Sequence, residues 1–440
     1  MNINIIMHWP HIDIPNKYES DYDSYLNYLV YDGAHKRYGT NLSPDCIERI
    51  ELELNYLKEF CCAQYFIILH DIVKFARDNK IWIGAGRGRT VSSIICYCLF
   101  IDDIDPIRFG LSSYRVCWKK QNFIPDVDID VSKVKRNKLF DYLRTKYGEL
   151  AVLRVHSDIK WLPKIHPCSV LIASEDCLEQ IQKEAMYVED EGRDVFVADM
   201  TKRQFDEKGY LNYDFLSMDH VDLIGSVCNL IESKYGKTID IANIDVTDNN
   251  VLSLFQKLDT DDIFQFNTSE MKDFMEYLQP SSFSDLVALN AMCRPSMMEM
   301  IPEYADRKNG FEDVPDYASA NYILSCTYGI PIYRDQIIQI LSEIGNLPYD
   351  ISNIIYMQLV RRNDTTQYES LFKDGCLRKG IHISEAEMLW ELISTYSIFT
   401  FDKSHATAYT YIAFQQAWLK TYYPSEFQQI SSSYFAHEQQ

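Results

Sequence analysis

The hexapeptide Pro125-Asp126-Val127-Asp128-Ile129-Asp130 constrains the fold more than any other stretch of the chain. Acid and apolar residues alternate with period two. On a strand that spacing sends Asp126, Asp128 and Asp130 to one face and the apolar residues to the other. Carboxylates side by side repel each other unless a divalent cation sits between them. Mg²⁺ is held by one or two carboxylates together with substrate phosphates. The hexapeptide therefore fits a two-metal phosphoryl- or nucleotidyl-transfer site. Taken alone, it fits a polar edge strand with a solvated acidic face better.

A chain of 440 residues, 47% hydrophobic, suggests two or three domains with a sizeable core. A formal net charge of -21 argues against a protein that coats nucleic acid with a uniformly basic surface, though not against a local basic groove. The 12 cysteines include no CxxC pair, and no His/Cys cluster has zinc spacing. Scattered thiols fit a reducing cytoplasm, where we expect the protein. The N-terminus lacks the pattern of a signal peptide, and no apolar run of about 18 residues predicts a membrane span.

Amphipathic spacing predicts helices over Ile47 to Phe60 and Tyr65 to Ala76. Ile81-Trp82-Ile83 reads as a short strand. Gly84-Ala85-Gly86-Arg87-Gly88-Arg89 reads as a tight turn, and Thr90 to Leu99 as a buried helix. Strand, glycine-rich turn and helix in that order let backbone N–H groups approach a phosphate, although a turn with no ligand fits as well. Phe123 to Val131 is the acidic strand. Lys133 to Gly148 is an amphipathic helix whose start carries Lys133, Lys135, Arg136 and Lys138, cations that either track a nucleic-acid backbone or solvate a helix face. Further strands are expected within residues 163–173 and over Leu211 to Leu216. From Asn249 onward the chain reads as mostly helical, with caps such as Asp259 and Thr268-Ser269.

Several separate segments, in order, resemble the catalytic core of the bacterial replicative DNA polymerase III alpha family. They are the glycine-rich turn with the following YCLFIDDIDPIRFGL, the acidic hexapeptide, His166 to Ala173, and Asp214-Phe215-Leu216. Ala288-Leu289-Asn290-Ala291 with Arg294-Pro295, Thr327-Tyr328-Gly329 with Tyr333, and Phe401 to Tyr409 continue the likeness over roughly residues 20 to 430. The resemblance implies an α+β fold, with a polymerase-beta-like nucleotidyltransferase palm and a mostly helical fingers domain. Its expected divisions are 1–80, a helical part of the palm; 81–224, the palm with a nearly absent thumb; and 225–440, the fingers.

The resemblance also implies roles. Asp126, Asp128 and Asp214 would be the catalytic residues and would hold two Mg²⁺ ions, with Mn²⁺ as an alternative. Asp130 would support them. Gly86, Arg87, Gly88, Arg89 and Arg115 would bind the nucleotide from the palm, and Arg361, Arg362, Lys403 and His405 from the fingers. The implied partners are primer-template DNA, dNTP and an accessory or replisome protein that supplies duplex grip.

The chain also departs from the family. Arg89 stands where a serine is usual. Asn212-Tyr213 replaces a lysine before the third aspartate, and Tyr356-Met357 replaces a pair of arginines. Loss of cations at a triphosphate site should weaken nucleotide binding, because charge-assisted contacts are the strong ones. His166 follows Asp128 by only 38 positions, too few for the family's thumb. The family's N-terminal phosphoesterase and C-terminal clamp- and duplex-binding regions are not expected. Three functions follow: a minimal template-dependent DNA polymerase; a nucleotidyltransferase that needs no template or uses a non-DNA acceptor; and an inactive regulator that binds DNA or replisome proteins.

Overall fold

A computed structural model of the chain describes residues 8–113, 127–156, 165–183, 185–190, 193–201, 204 and 207–435. They divide into two compact units. The first runs to Ala242 and includes the residues from Ser432; the second spans Asn243 to Ser431.

The first unit opens with α1 (Tyr22–Tyr38), α2 (Pro44–Glu59) and α3 (Ala63–Asp78). The starts are set by caps. The Asp21 carboxylate accepts the Ser24 N–H at 3.0 Å, and Ser43 accepts that of Cys46 at 3.2 Å with Pro44 at the first helical position. The two helices predicted here are present, with ends shifted by a few residues. The next stretch differs from expectation. Ile81 to Ile83 forms only a bridge, from Ile83 to Val131. The predicted helix from Thr90 is split into a 3₁₀ turn, Thr90–Ser92, and a short α4, Ile94–Cys98. The break has a cause in α2. Buried Glu53 accepts the Ser93 hydroxyl at 2.7 Å and the N–H groups of Ile94 and Ile95 at 3.2 and 3.3 Å, so the helix restarts there.

A mixed six-stranded sheet follows. Its elements are β1 (Asp128–Val131), α5 (Arg136–Tyr147), β2 (Val152–His156), β3 (Ile165–Ile172), α6 (Glu175–Lys183), β4 (Ala185–Asp190), β5 (Arg193–Thr201), β6 (Leu211–Ser217) and α7 (Asp219–Tyr235). The strand order is β1-β6-β3-β2-β5-β4. β1 and β6 run parallel, as do β2 and β5; the other neighbours are antiparallel. One face is apolar. Ile129, Val131, Tyr213, Phe215, Val170 and Ile172 join the core with residues of α1–α5. On the other face Leu153, Leu171, Phe196 and Ala198 pack with Cys177 and Ile181 of α6. The α+β class is as expected.

The second unit is helical: α8 (Asn249–Gln256), α9 (Ser269–Leu278), α10 (Phe283–Met292), α11 (Ile301–Asn309), α12 (Asn321–Leu324), α13 (Arg334–Gln339), α14 (Tyr349–Val360), α15 (Thr366–Arg378), α16 (Ile383–Tyr396), α17 (Lys403–Tyr422) and α18 (Pro424–Phe435), whose last residues group with the first unit. A π-helical turn, Ile340–Ile344, follows α13. Thr268 caps α9 as expected, accepting the Met271 N–H at 3.2 Å. Among the described residues Asp259 caps no helix. It accepts the Lys420 ammonium at 2.7 Å instead.

Candidate active site

β1 and β6 lie side by side in parallel register, with Asp128 opposite Asp214 and Asp130 opposite Leu216. Directly paired residues point to the same face, so the acids of β1 and Asp214 share one surface while Ile129, Tyr213 and Phe215 enter the core. Adjacent strands are about 4.8 Å apart, which brings two carboxylates within reach of one cation. The Asp128 side chain is 38% exposed, whereas Asp214 is 7% exposed. Across β6, Ser169 of β3 is the register partner of Asp214. Burial raises the Cys168 thiol, and the negative charge of Asp214 raises it further.

The glycine-rich turn runs beside this surface. The Gly84 N–H donates to the Asp130 carbonyl at 2.8 Å and the Ser132 N–H to the Trp82 carbonyl at 2.9 Å. The approach is too close for a side chain: a Cβ on Gly84 would stand 2.8 Å from the Asp130 Cβ. Gly86, at φ +140°, could not carry one either, since it would meet the Asp102 Cβ at 2.9 Å. The turn thereby delivers Arg87 over the acids. Its Nη1 donates to Asp130 Oδ1 at 3.1 Å, and its Nε lies 3.8 Å from Asp128 Oδ2. Burial pushes the Asp130 carboxyl up to about 6, and the Arg87 charge opposes that shift.

Polar groups buried behind the turn fix its position. Arg49 donates to the Glu53 carboxylate at 2.7 Å and to the Ser92 carbonyl at 2.5 Å. The Asp103 N–H donates to the Ala85 carbonyl at 2.7 Å. Arg37 in turn holds Asp103, at 3.0 Å, and donates to the Asp102 carbonyl oxygen at 2.7 Å. Asp102, packed under Gly86, is 1% exposed, and burial raises its carboxyl far above the usual range. These supports were not singled out from the sequence. They lie 31 to 52 residues before the residues of the turn or inside the YCLFIDDIDP stretch, and nothing in their local spacing announces the contact.

The predicted residues fall into three groups. Asp128, Asp214, Gly86, Arg87 and Gly88 come together in the first unit, and Arg89 is exposed in the same turn. Asp126 and Arg115 lie outside the described residues. Arg361, Arg362, Lys403 and His405 belong to the second unit. There, Arg361 and Arg362 are exposed where α14 ends. Lys403 opens α17, with its Nζ 5.8 Å from the Tyr333 ring centre. The His405 ring packs between Phe401, at 5.5 Å, and Tyr409, at 4.3 Å. Arg294 stacks on Phe401 at 3.4 Å, which adds to this basic and aromatic surface a residue not selected from the sequence as a ligand.

Two features differ from a simple basic track. Among the cations at the start of α5, Lys135 Nζ donates to the Lys80 carbonyl at 2.6 Å and Arg136 is buried near the Phe140 ring. Arg136 serves the interior of the unit, while the Lys135 contact is an exposed tether to the end of α3. Of the two residues that stand where a lysine was expected, Asn212 lies on the face of Asp214, and Tyr213 is buried with its hydroxyl donating to the Tyr65 carbonyl at 3.1 Å.

Two family models match the chain. Residues 24–164 match the bacterial DNA polymerase III alpha NTPase domain, and residues 220–380 match the bacterial DNA polymerase III alpha subunit finger domain. The chain is similar to proteins named DNA polymerase III subunit alpha. The one from Halalkalibacterium halodurans is 27% identical over 95% of this chain and 43% of the relative. That from Campylobacter jejuni is 29% identical over 86% and 38%, and that from Bacillus subtilis 27% over 92% and 42%. The chain spans about two fifths of the length of these relatives.

Proposed function

The chain belongs to the bacterial DNA polymerase III alpha family, and from that membership we propose that it is the palm and fingers core of a DNA-directed DNA polymerase. In this reading the first unit is a polymerase-beta-like nucleotidyltransferase palm, and it transfers a nucleotide from dNTP to a primer 3′-hydroxyl. The observation that carries the reading is the register match of Asp128 with Asp214 on adjacent parallel strands, beside a glycine-rich turn that presents Arg87.

The donor set is one of hard carboxylate oxygens, which suits Mg²⁺ or Mn²⁺. Asp128, Asp214 and, from its place in the motif, Asp126 would hold the ions. When bound, they would lower the pKa of the primer hydroxyl and neutralise charge on the triphosphate. Arg87 spans two carboxylates, a position from which a guanidinium can exchange carboxylate for phosphate. Gly86, Gly88, Arg89 and Arg115 complete the phosphate side. Arg361, Arg362, Lys403 and His405 would receive the base and template. Asp130, buried and held by Arg87, orients that arginine. An accessory or replisome protein would supply the grip on duplex.

A second reading has its own support. Neither Asn212 nor Tyr213, which stand where the resemblance implies a lysine, is a cation, so the triphosphate would have fewer charged contacts and template-independent addition is the alternative. Primed template incubated with each dNTP singly, with Mg²⁺ or Mn²⁺, separates the two. Incorporation that follows the template base supports polymerisation. Incorporation that ignores it supports the alternative, and no incorporation contradicts both.

A further inference from the structure

We infer that His8, Asp176 and Cys177 form a Zn²⁺ site remote from the carboxylate pair. Their ligand atoms, one from each residue, all lie within 4.8 Å of one another. His8 Nδ1 is 2.6 Å from Asp176 Oδ2. Ser174 closes the group: its hydroxyl donates to the other Asp176 oxygen and lies 3.0 Å from Cys177 Sγ. Sequence spacing could not show this cluster, because the histidine is 168 residues from Asp176. It forms through the fold. The His8 N–H donates to the Gly209 carbonyl at 3.0 Å and bridges Tyr210 just before β6, while Ser174, Asp176 and Cys177 sit where β3 passes into α6.

The donor chemistry selects the metal. Imidazole nitrogen, thiolate sulfur and one carboxylate oxygen suit Zn²⁺, whereas a thiolate is a poor ligand for Mg²⁺. Zinc–ligand bonds of about 2.0–2.3 Å set ligand separations of roughly 3.3–3.8 Å in a tetrahedron. His8 Nδ1 and Asp176 Oδ2, at 2.6 Å, would open slightly to admit the ion, and no pair of the three ligand atoms is more than 4.8 Å apart. Ser174 or water takes the fourth position. Cys177 and Ser174 are buried and His8 is partly so, which shields the site on the protein side.

The consequence is structural. Ile172 pairs with Leu211 at this end of the two strands, and Asp214 pairs with Ser169 three rungs away, roughly 10 Å along β6. A metal here would tie the N-terminal segment to the start of the strand that carries Asp214. Metal that binds only the folded state stabilises it by linkage. The site does not depend on the polymerase reading.

The test uses the full chain stripped of metal and titrated with Co²⁺, then Zn²⁺. A near-ultraviolet thiolate-to-cobalt band should appear at one equivalent of Co²⁺, yield to one equivalent of Zn²⁺ and persist in excess Mg²⁺. A band from metal at the carboxylate pair would need the Cys168 thiol, which the Asp214 charge reaches, and such a band would survive Cys177→Ser. Cys177→Ser should abolish it, and His8→Ala, at a partly exposed position, should weaken Zn²⁺ binding at least about tenfold with unchanged circular dichroism. Absence of the band, or a band and Zn²⁺ affinity unchanged in folded His8→Ala, overturns the proposal.

Discussion

Glu53 illustrates how much of this site is held by residues that never face it. Its carboxylate, 1% exposed, accepts one arginine, one hydroxyl and two backbone N–H groups directly after the glycine-rich turn. Removing one partner of a buried, hydrogen-bonded charge pair costs about 3–5 kcal/mol. Glu53→Ala should therefore lose stability of that order in denaturant unfolding; a loss below about 1 kcal/mol would show that the turn is anchored elsewhere. His220, at the start of α7, gives a pH signature. Burial lowers its imidazole to about 4, from 6.5. Between those values the unfolded chain binds more protons than the folded one, so stability is lost as pH falls through the window. From pH 7 to 5 the wild type should lose about 1–2 kcal/mol more than His220→Gln. Parallel losses in the two proteins would contradict the assigned burial.

At the scale of elements, α1 and α4 meet backbone to backbone. A Cβ on Gly33 would stand 1.8 Å from the Cys98 carbonyl oxygen. Backbone cannot give way as a side chain can, so Gly33→Ala should destabilise by about 1–3 kcal/mol or more. A neutral effect in thermal unfolding would mean that the two helices are not in such close contact. Elements with a clear period were legible from the sequence: α2 and α3 from their apolar faces, β6 from the alternation of Leu211, Tyr213 and Phe215 with Asn212 and Asp214, β1 from its acid–apolar alternation. The faces of β1 were legible too, because period two assigns Val131 inward and Asp128 outward without further information. The hairpin of β4 and β5 was not. Its strands carry exposed Met186 and Tyr187 and a run of charges, so alternation does not mark a buried side. The split at Ser93 was hidden as well, since it is imposed by Glu53 from another helix. The clustering of Asp128 with Asp214 was legible only through ordered motifs, because 86 residues separate the two.

For the whole molecule, the net charge of -21 and the local cations make opposite demands on DNA binding. If Arg294, Lys403 and His405 grip phosphates, the logarithm of DNA affinity should fall linearly with the logarithm of salt concentration, by about 0.9 per phosphate contact on duplex. A flat response would show that the acidic surface prevails and that no basic groove exists. The chemistry is tested most directly by single-nucleotide extension of a primed template, comparing the wild type with Asp128→Asn and Asp214→Asn after both variants are shown to fold. The wild type should add the nucleotide complementary to the template, and each variant should lose at least about a hundredfold in rate, or roughly 2.7 kcal/mol of transition-state stabilisation. Template-directed extension that survives unchanged in either folded variant would contradict the assignment of this carboxylate pair.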